Sequence, residues 1–240
     1  MRILVANVNT TESMTSLICA AARSCAAEDT EIVGITPRIG AASVESHHEA
    51  YLATVGVMDE IRSYDEPFDA IVLAGFGEPG REGLEELFEV PVMDIAETAV
   101  HTAYLLGRRY SILTPGIGSI EGPTFDRLRQ SGLLDRLASA RGIGLDVLAL
   151  EEDPDRTREL LIEAARCAVA EDGADVLCLG CAGMAGVAAS VQQEVGVPVL
   201  DGVVLAVQLA EVFHRLGYRR PPTVARRKKP PTVWPVAGVQ

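Results

Sequence analysis

Cys181 stands where the hydrophobic run Asp175-Val-Leu-Cys-Leu-Gly180 gives way to the glycine-rich turn Cys181-Ala-Gly-Met-Ala-Gly186. A turn that follows a strand of an α/β sheet carries its side chain to the sheet's carboxyl edge, where ligands bind. A helix beginning near Met184 would aim its positive end at the sulfur and favour the thiolate. Such a thiolate can take a proton from a carbon acid and return it. The amides of Ala182, Gly183 and Met184 are then placed to receive an oxyanion, such as the enolate left by that deprotonation. The competing reading, a buried structural cysteine, is weakened because the pattern occurs twice.

Asp69-Ala-Ile-Val-Leu-Ala-Gly75 overlays Asp175 to Cys181 at an offset of 106 and runs into its own turn, Gly75-Phe-Gly-Glu-Pro-Gly80. After each turn comes a short helical stretch and then Pro91-Val-Met-Asp94 or Pro198-Val-Leu-Asp201, and the opening Ile3–Thr10 is matched by Ser111–Gly118. A repeat of this length means two similar lobes. Strands are predicted at 2–7, 31–36, 69–74, 91–95, 109–114, 144–149, 175–180 and 198–201. Helices are predicted at 11–27, 47–63, 81–88, 97–106, 122–133, 154–171, 184–195 and 202–216. The alternation gives an α/β fold of two Rossmann-like lobes, each with a parallel sheet, related by a pseudo-twofold with the active site in the cleft between them. The expected division is 1–96 plus 203–218, then 97–202, with 219–240 as a basic Pro-rich tail. Gly75 and Cys181 would face each other across the cleft.

Other residues bear on the same cleft. Asn7, Asn9 and Thr10 end the first strand and suit a neutral polar ligand or a carboxylate, although helix capping accounts for them equally well. Thr114 ends the matching strand of the second lobe. Phe76, Gly77 and Glu78 belong to the Gly75 turn, and Glu78 is either a second acid/base or a solvated loop residue. Gly75 to Gly80 fits G-x-G-x-x-G, but Pro79 interrupts the turn and no acidic residue ends a strand about 20 positions on, so a dinucleotide is not expected. Cys178 and Cys181 form C-x-x-C without a second ligand pair, so no metal site is expected. Cys19, Cys25 and Cys167 read as small core residues, His47 and His48 as surface groups, and His101 and His214 as without a chemical role.

The 240 residues carry 21 Lys and Arg against 34 Asp and Glu; six of the basic residues lie after Gly217 with no acid among them, leaving 15 against 34 before it. A body of net charge −19 repels nucleic acid. No apolar run is long enough to span a bilayer. Met1-Arg-Ile-Leu-Val5 reads as a strand with no cleavage site after it, and reduced cysteines in a cytoplasmic protein are expected.

Taken together, Arg2-Ile-Leu-Val5 with Asn7-Val-Asn-Thr-Thr11, Ser43-Val-Glu-Ser-His47, Phe76-Gly-Glu-Pro-Gly80, Ile95-Ala-Glu97, Leu179-Gly-Cys-Ala-Gly-Met184 and Pro198-Val-Leu-Asp-Gly-Val203 resemble the Asp/Glu/hydantoin racemase superfamily, most closely its hydantoin and allantoin racemase branch. The likeness runs from Met1 to about Tyr218. It implies proton transfer at a carbon next to a carbonyl, a small-molecule substrate that is hydantoin-like or derived from an amino acid, no cofactor, and a homo-oligomer. Members of the family place one cysteine on each face of the substrate. Cys181 matches the second; the position of the first is Gly75. The Gly-plus-Cys pairing is similar to that of arylmalonate decarboxylases in the same superfamily. Three outcomes are therefore open: a racemase with Cys181 as its acid/base, a single-cysteine decarboxylase, or a ligand-binding protein without turnover.

Overall fold

A computed structural model describes residues 1–77, 80–116 and 122–221. The chain alternates strand and helix from the start. β1 (Arg2–Asn7), α1 (Glu12–Cys25), β2 (Glu31–Ile35), α2 (His47–Arg62), β3 (Ala70–Ala74), α3 (Arg81–Leu87) and β4 (Val92–Asp94) come first, followed by α4 (Ile95–Leu106). β5 (Tyr110–Thr114), α5 (Pro123–Gln130), β6 (Leu137–Gly142), α6 (Pro154–Ala170), β7 (Val176–Leu179), α7 (Ala188–Val195), β8 (Val199–Leu200) and α8 (Gly202–Arg215) complete it. Both sheets are parallel, ordered β2-β1-β3-β4 and β6-β5-β7-β8, so the second repeats the first with every strand advanced by four. The two predicted lobes are present.

β1 and β3 read as unbroken apolar runs because parallel strands are covered on both faces. One apolar cluster draws on the inner faces of both sheets and on α1, α4, α5 and α8; two further clusters lie beneath α2 and α3, and beneath α6 and α7. The repeat extends to the caps. Asp94 Oδ1 accepts from the amides of Ala96 and Glu97 at the start of α4, and Asp201 Oδ1 accepts from Val203 and Val204 at the start of α8. The two helix starts touch: a Cβ on Gly202 would lie 2.5 Å from the Ile95 carbonyl oxygen.

Two expectations are corrected. The strand placed at 144–149 is instead β6, at Leu137–Gly142. Ser139 joins Ser111 (2.8 Å) and Asp172 (2.5 Å), and Arg141 Nε meets Asp172 at 2.6 Å, so β6 is an edge strand held by polar contacts that carry no apolar signature. Gly144, at φ +74°, ends the extended path, and Leu148–Glu151 is a 3-10 turn. Likewise the helix placed at 184–195 begins only at Ala188, because Gly186 adopts φ +88° and its amide is drawn to Asp201 Oδ2 at 2.8 Å.

Candidate active site

The carboxyl ends of β1, β3, β5 and β7 open onto one cavity of about 290 Å³, with Gly180–Gly183 on one wall and Ala74–Phe76 on the other. Cys181 caps a single 3-10 turn, Ala182–Met184. The Gly183 amide donates to Cys181 Sγ at 3.4 Å, a contact that favours charge on the sulfur. The Met184 amide donates to the Cys181 carbonyl at 3.1 Å, and the Met184 side chain is buried in the second lobe's own core. Met184 is therefore a support for the turn and not a wall of the cavity. α7 starts six residues beyond Ala182, so the helix start at the sulfur is this one turn.

Gly75 and Phe76 form the opposite wall. The Gly77 amide donates back to the Gly75 carbonyl at 3.1 Å, which folds the turn onto itself, and Gly77 does not line the cavity. A Cβ on Gly77, at φ +95°, would stand 2.6 Å from Thr124 Cα. In the other half, a Cβ on Gly183 would stand 3.1 Å from Met14 Sδ. The helix after the first strand of each sheet thus packs on the glycine turn of the other: α1, together with Leu150, backs the Cys181 turn, and α5 backs the Gly75 turn. Thr124 adds a hydrogen bond, donating its hydroxyl to the Phe76 carbonyl at 2.7 Å. Glu78 lies outside the described residues.

At the end of β1 the two asparagines have different roles. Asn7 Nδ2 donates to Asn9 Oδ1 (2.8 Å), the Thr11 carbonyl (3.1 Å) and Thr15 Oγ1 (3.0 Å), while its Oδ1 accepts from the Asn9 amide (3.1 Å). Its side chain is spent on shaping the turn. Asn9 Oδ1 accepts from Asn7 and from the Thr11 amide, which fixes the side-chain orientation and leaves Nδ2 as the donor on the cavity side, without a partner among the described residues. Thr10 is drawn away from the cavity, its amide and hydroxyl both on the Ala41 carbonyl. Thr114 does line the cavity, and its buried hydroxyl has no partner among the described residues.

Met14, Ile18, Val44, Val147 and Phe125 supply an apolar side to the cavity, and Glu45, exposed at its mouth, is the one charged side chain among the described residues that line it. Thr124 and Phe125 were not anticipated as site residues. Their helix is legible in the sequence, but which lobe it leans on is not. Cys178 is fully buried in β7, where loss of solvent pushes its thiol well up, and it stands apart from Cys181. Neither His101, bonded to the Glu97 carbonyl at 2.7 Å, nor His214 lines this cavity; His47 approaches Asp126 at 3.5 Å. A second cavity, of about 480 Å³, lies between α4 and the end of α8; it shares no wall residue with the first and holds no thiol among the described residues.

The chain matches the family model described as Asp/Glu/Hydantoin racemase over residues 3–210. It is 41% identical to a hydantoin racemase from Pseudomonas sp. (strain NS671) over 218 residues, covering 90% of this chain and 87% of the relative. An allantoin racemase from Pseudomonas fluorescens superposes with a TM-score of 0.89 at 48% identity, over 97% of this chain and all of the other. An allantoin racemase from Klebsiella pneumoniae does so with a TM-score of 0.91 at 38% identity, over 97% and 96% of the two chains.

Proposed function

This chain belongs to the Asp/Glu/hydantoin racemase family, and we propose that it is a cofactor-independent isomerase that moves the proton on the substituted ring carbon of a neutral, hydantoin-like substrate, with Cys181 as its acid/base. The observation that carries this reading is the make-up of the cavity. Among the described residues it offers one thiol, neutral hydrogen-bonding groups at Asn9 and Thr114, an apolar side, and no Lys, Arg or His. A carboxylate substrate would meet no cation there and would pass Glu45 at the entrance. A cyclic imide brings carbonyls and N–H groups without charge, which suits donors such as Asn9 Nδ2. Its side chain has Met14, Ile18, Val44 and Phe125 to lie on.

The chemistry follows from these groups. The Cys181 thiolate removes the proton; the C–H bond breaks, its electron pair becomes the enolate, and negative charge gathers on the carbonyl oxygen. Donors fixed before the reaction stabilise that oxygen without reorganising. Returning the proton from the other face needs an acid at Gly75, which supplies no side chain. A water molecule at that wall is the proton donor in this reading, and turnover is slower than a second thiol would allow. The same glycine favours a second reading, in which substrate carboxyl leaves as carbon dioxide and Cys181 protonates the enolate from one side only.

Proton NMR in deuterium oxide with an enantiopure 5-isobutylhydantoin and with allantoin tests the assignment. Wild type is expected to exchange the ring proton and lose optical purity, Cys181→Ser to fall by about 10²–10⁴-fold, and Gly75→Cys to racemise faster. Undiminished exchange in Cys181→Ser would refute the role of the thiol. Carbon dioxide release from an arylmalonate, with hydantoins untouched, would establish the decarboxylase instead. Ligand binding without turnover in wild type and Gly75→Cys alike would make the protein a binder.

A further inference from the structure

The two walls of the cavity are backed in different ways, and the difference singles out Arg127. Behind the Cys181 turn, α1 presents the thioether of Met14, an apolar and adaptable contact. Behind the Gly75 turn, α5 is only eight residues long, and of its side chains only Phe125 and Leu128 join the central core. The rest of its hold is ionic. Arg127, 9% exposed, pairs through Nη1 with Glu82 of α3 and through Nη2 with Glu97 of α4 at 2.8 Å. Glu97, itself 8% exposed, also pairs with Arg81 at the start of α3 and accepts from Ser131 Oγ, just past the end of α5, at 2.8 Å. α3 follows the Gly75 turn directly in the chain. One guanidinium therefore fixes α5 to the helix leaving that turn, while Thr124, three residues earlier, bonds the turn itself through the Phe76 carbonyl.

We infer that Arg127 is a positioning residue that sets the place of the Gly75–Phe76 wall against the substrate through Glu82, Glu97 and Thr124. It does not line the cavity, so it touches no reacting atom. Burying a guanidinium among carboxylates costs desolvation that well-packed apolar residues would avoid, and such networks are better suited to fixing geometry than to adding stability. Here the geometry fixed is the one wall that carries no catalytic side chain, where the backbone alone must leave the right space for a proton donor.

The inference rests on the reading of this cavity as the active site, and its test separates the two. Full-length wild type, Arg127→Met, Arg127→Lys, Glu82→Gln and Thr124→Val would be compared by thermal melting, by amide hydrogen exchange, and by KM and kcat on whichever hydantoin the wild type racemises. Arg127→Met is expected to melt cooperatively and to lose protection at the amides of 71–77 by about tenfold, with those of 176–183 unchanged. KM should rise about three- to tenfold, more than kcat falls. Arg127→Lys should recover part of both effects. Glu82→Gln, at a carboxylate 63% exposed, and Thr124→Val should move the same quantities less far in folded proteins. Protection lost equally from both turns, or kept at 71–77 with KM unchanged, would overturn the inference. A wild type that racemises nothing would defeat the functional reading, and the exchange measurement would still decide the positional one.

Discussion

Asn7 and Asn9 show how far a residue's role can be taken from its type. The sequence leaves both poised between capping and ligand binding, and the structure divides the roles: Asn7 is bonded at every polar group, and Asn9 keeps one donor for the cavity. Asn7→Leu removes buried partners from Asn9, Thr11 and Thr15 and should destabilise the protein by about 2 kcal/mol or more in urea unfolding. Asp94 offers a sharper test. Burial is the main cause that pushes its carboxyl up to about 6 from 3.8, and its Oδ2 has no partner among the described residues. Asp201, its counterpart in the other lobe, satisfies both oxygens, although burial raises that carboxyl too. A carboxyl whose folded pKa is raised binds its proton more tightly in the folded state. Its contribution is complete below about 4 and is lost as pH climbs to about 6. Asp94→Asn keeps a good cap and removes that loss, so it should match wild type below pH 4 and exceed it at pH 7 by on the order of 2–3 kcal/mol. A variant whose stability changes with pH between 4 and 6 just as wild type does would contradict this account.

At the level of elements, what was legible followed periodicity and what was missed followed contacts. β1, β3, β5 and β7 announce themselves because a strand covered on both faces must be apolar throughout. β6 does not, since Leu-Ala-Ser-Ala-Arg-Gly pairs on one side only and is anchored by Asp172 and Glu171, far along the chain. Leu145–Leu150, apolar in the sequence, buries little besides Leu150 and lends Val147 to the cavity. The turn at Cys181 is legible, but its single 3-10 turn mimics the start of a longer helix in the sequence, because the left-handed Gly186 is set by a bond to Asp201 that one sequence does not reveal. The two sealing glycines make a paired prediction. Gly77→Ala must push backbone against backbone at a positive φ, and should cost about 2 kcal/mol or more by chemical denaturation. Gly183→Ala meets only the far ends of the Leu150 and Met14 side chains, at 3.1 Å and 3.2 Å, and should cost about 1 kcal/mol or less. Equal penalties would mean that the two seals are not distinct in kind.

For the molecule as a whole, neither lobe forms the cavity alone: the helix after each sheet's first strand backs the other's turn, and the thiol of one faces the bare backbone of the other. The duplicated pattern in the sequence foretold two lobes and their shared cleft, but not this exchange, which depends on the packing of Gly77 against Thr124 and of Gly183 against Met14, segments distant in the chain. The point about which the exchange is organised is small. α4 and α8 begin side by side, and Gly202 rests directly on the Ile95 carbonyl. That contact lies at the carboxyl edge of the two sheets, the edge onto which the cavity also opens. A methyl group placed 2.5 Å from that oxygen forces the helix starts apart, and with them the edge that bears the cavity. Gly202→Ala should therefore raise KM while leaving Cys181 as reactive toward a small alkylating agent as before. One glycine that does not line the cavity thus holds two helix starts at backbone contact along the edge from which the cavity opens.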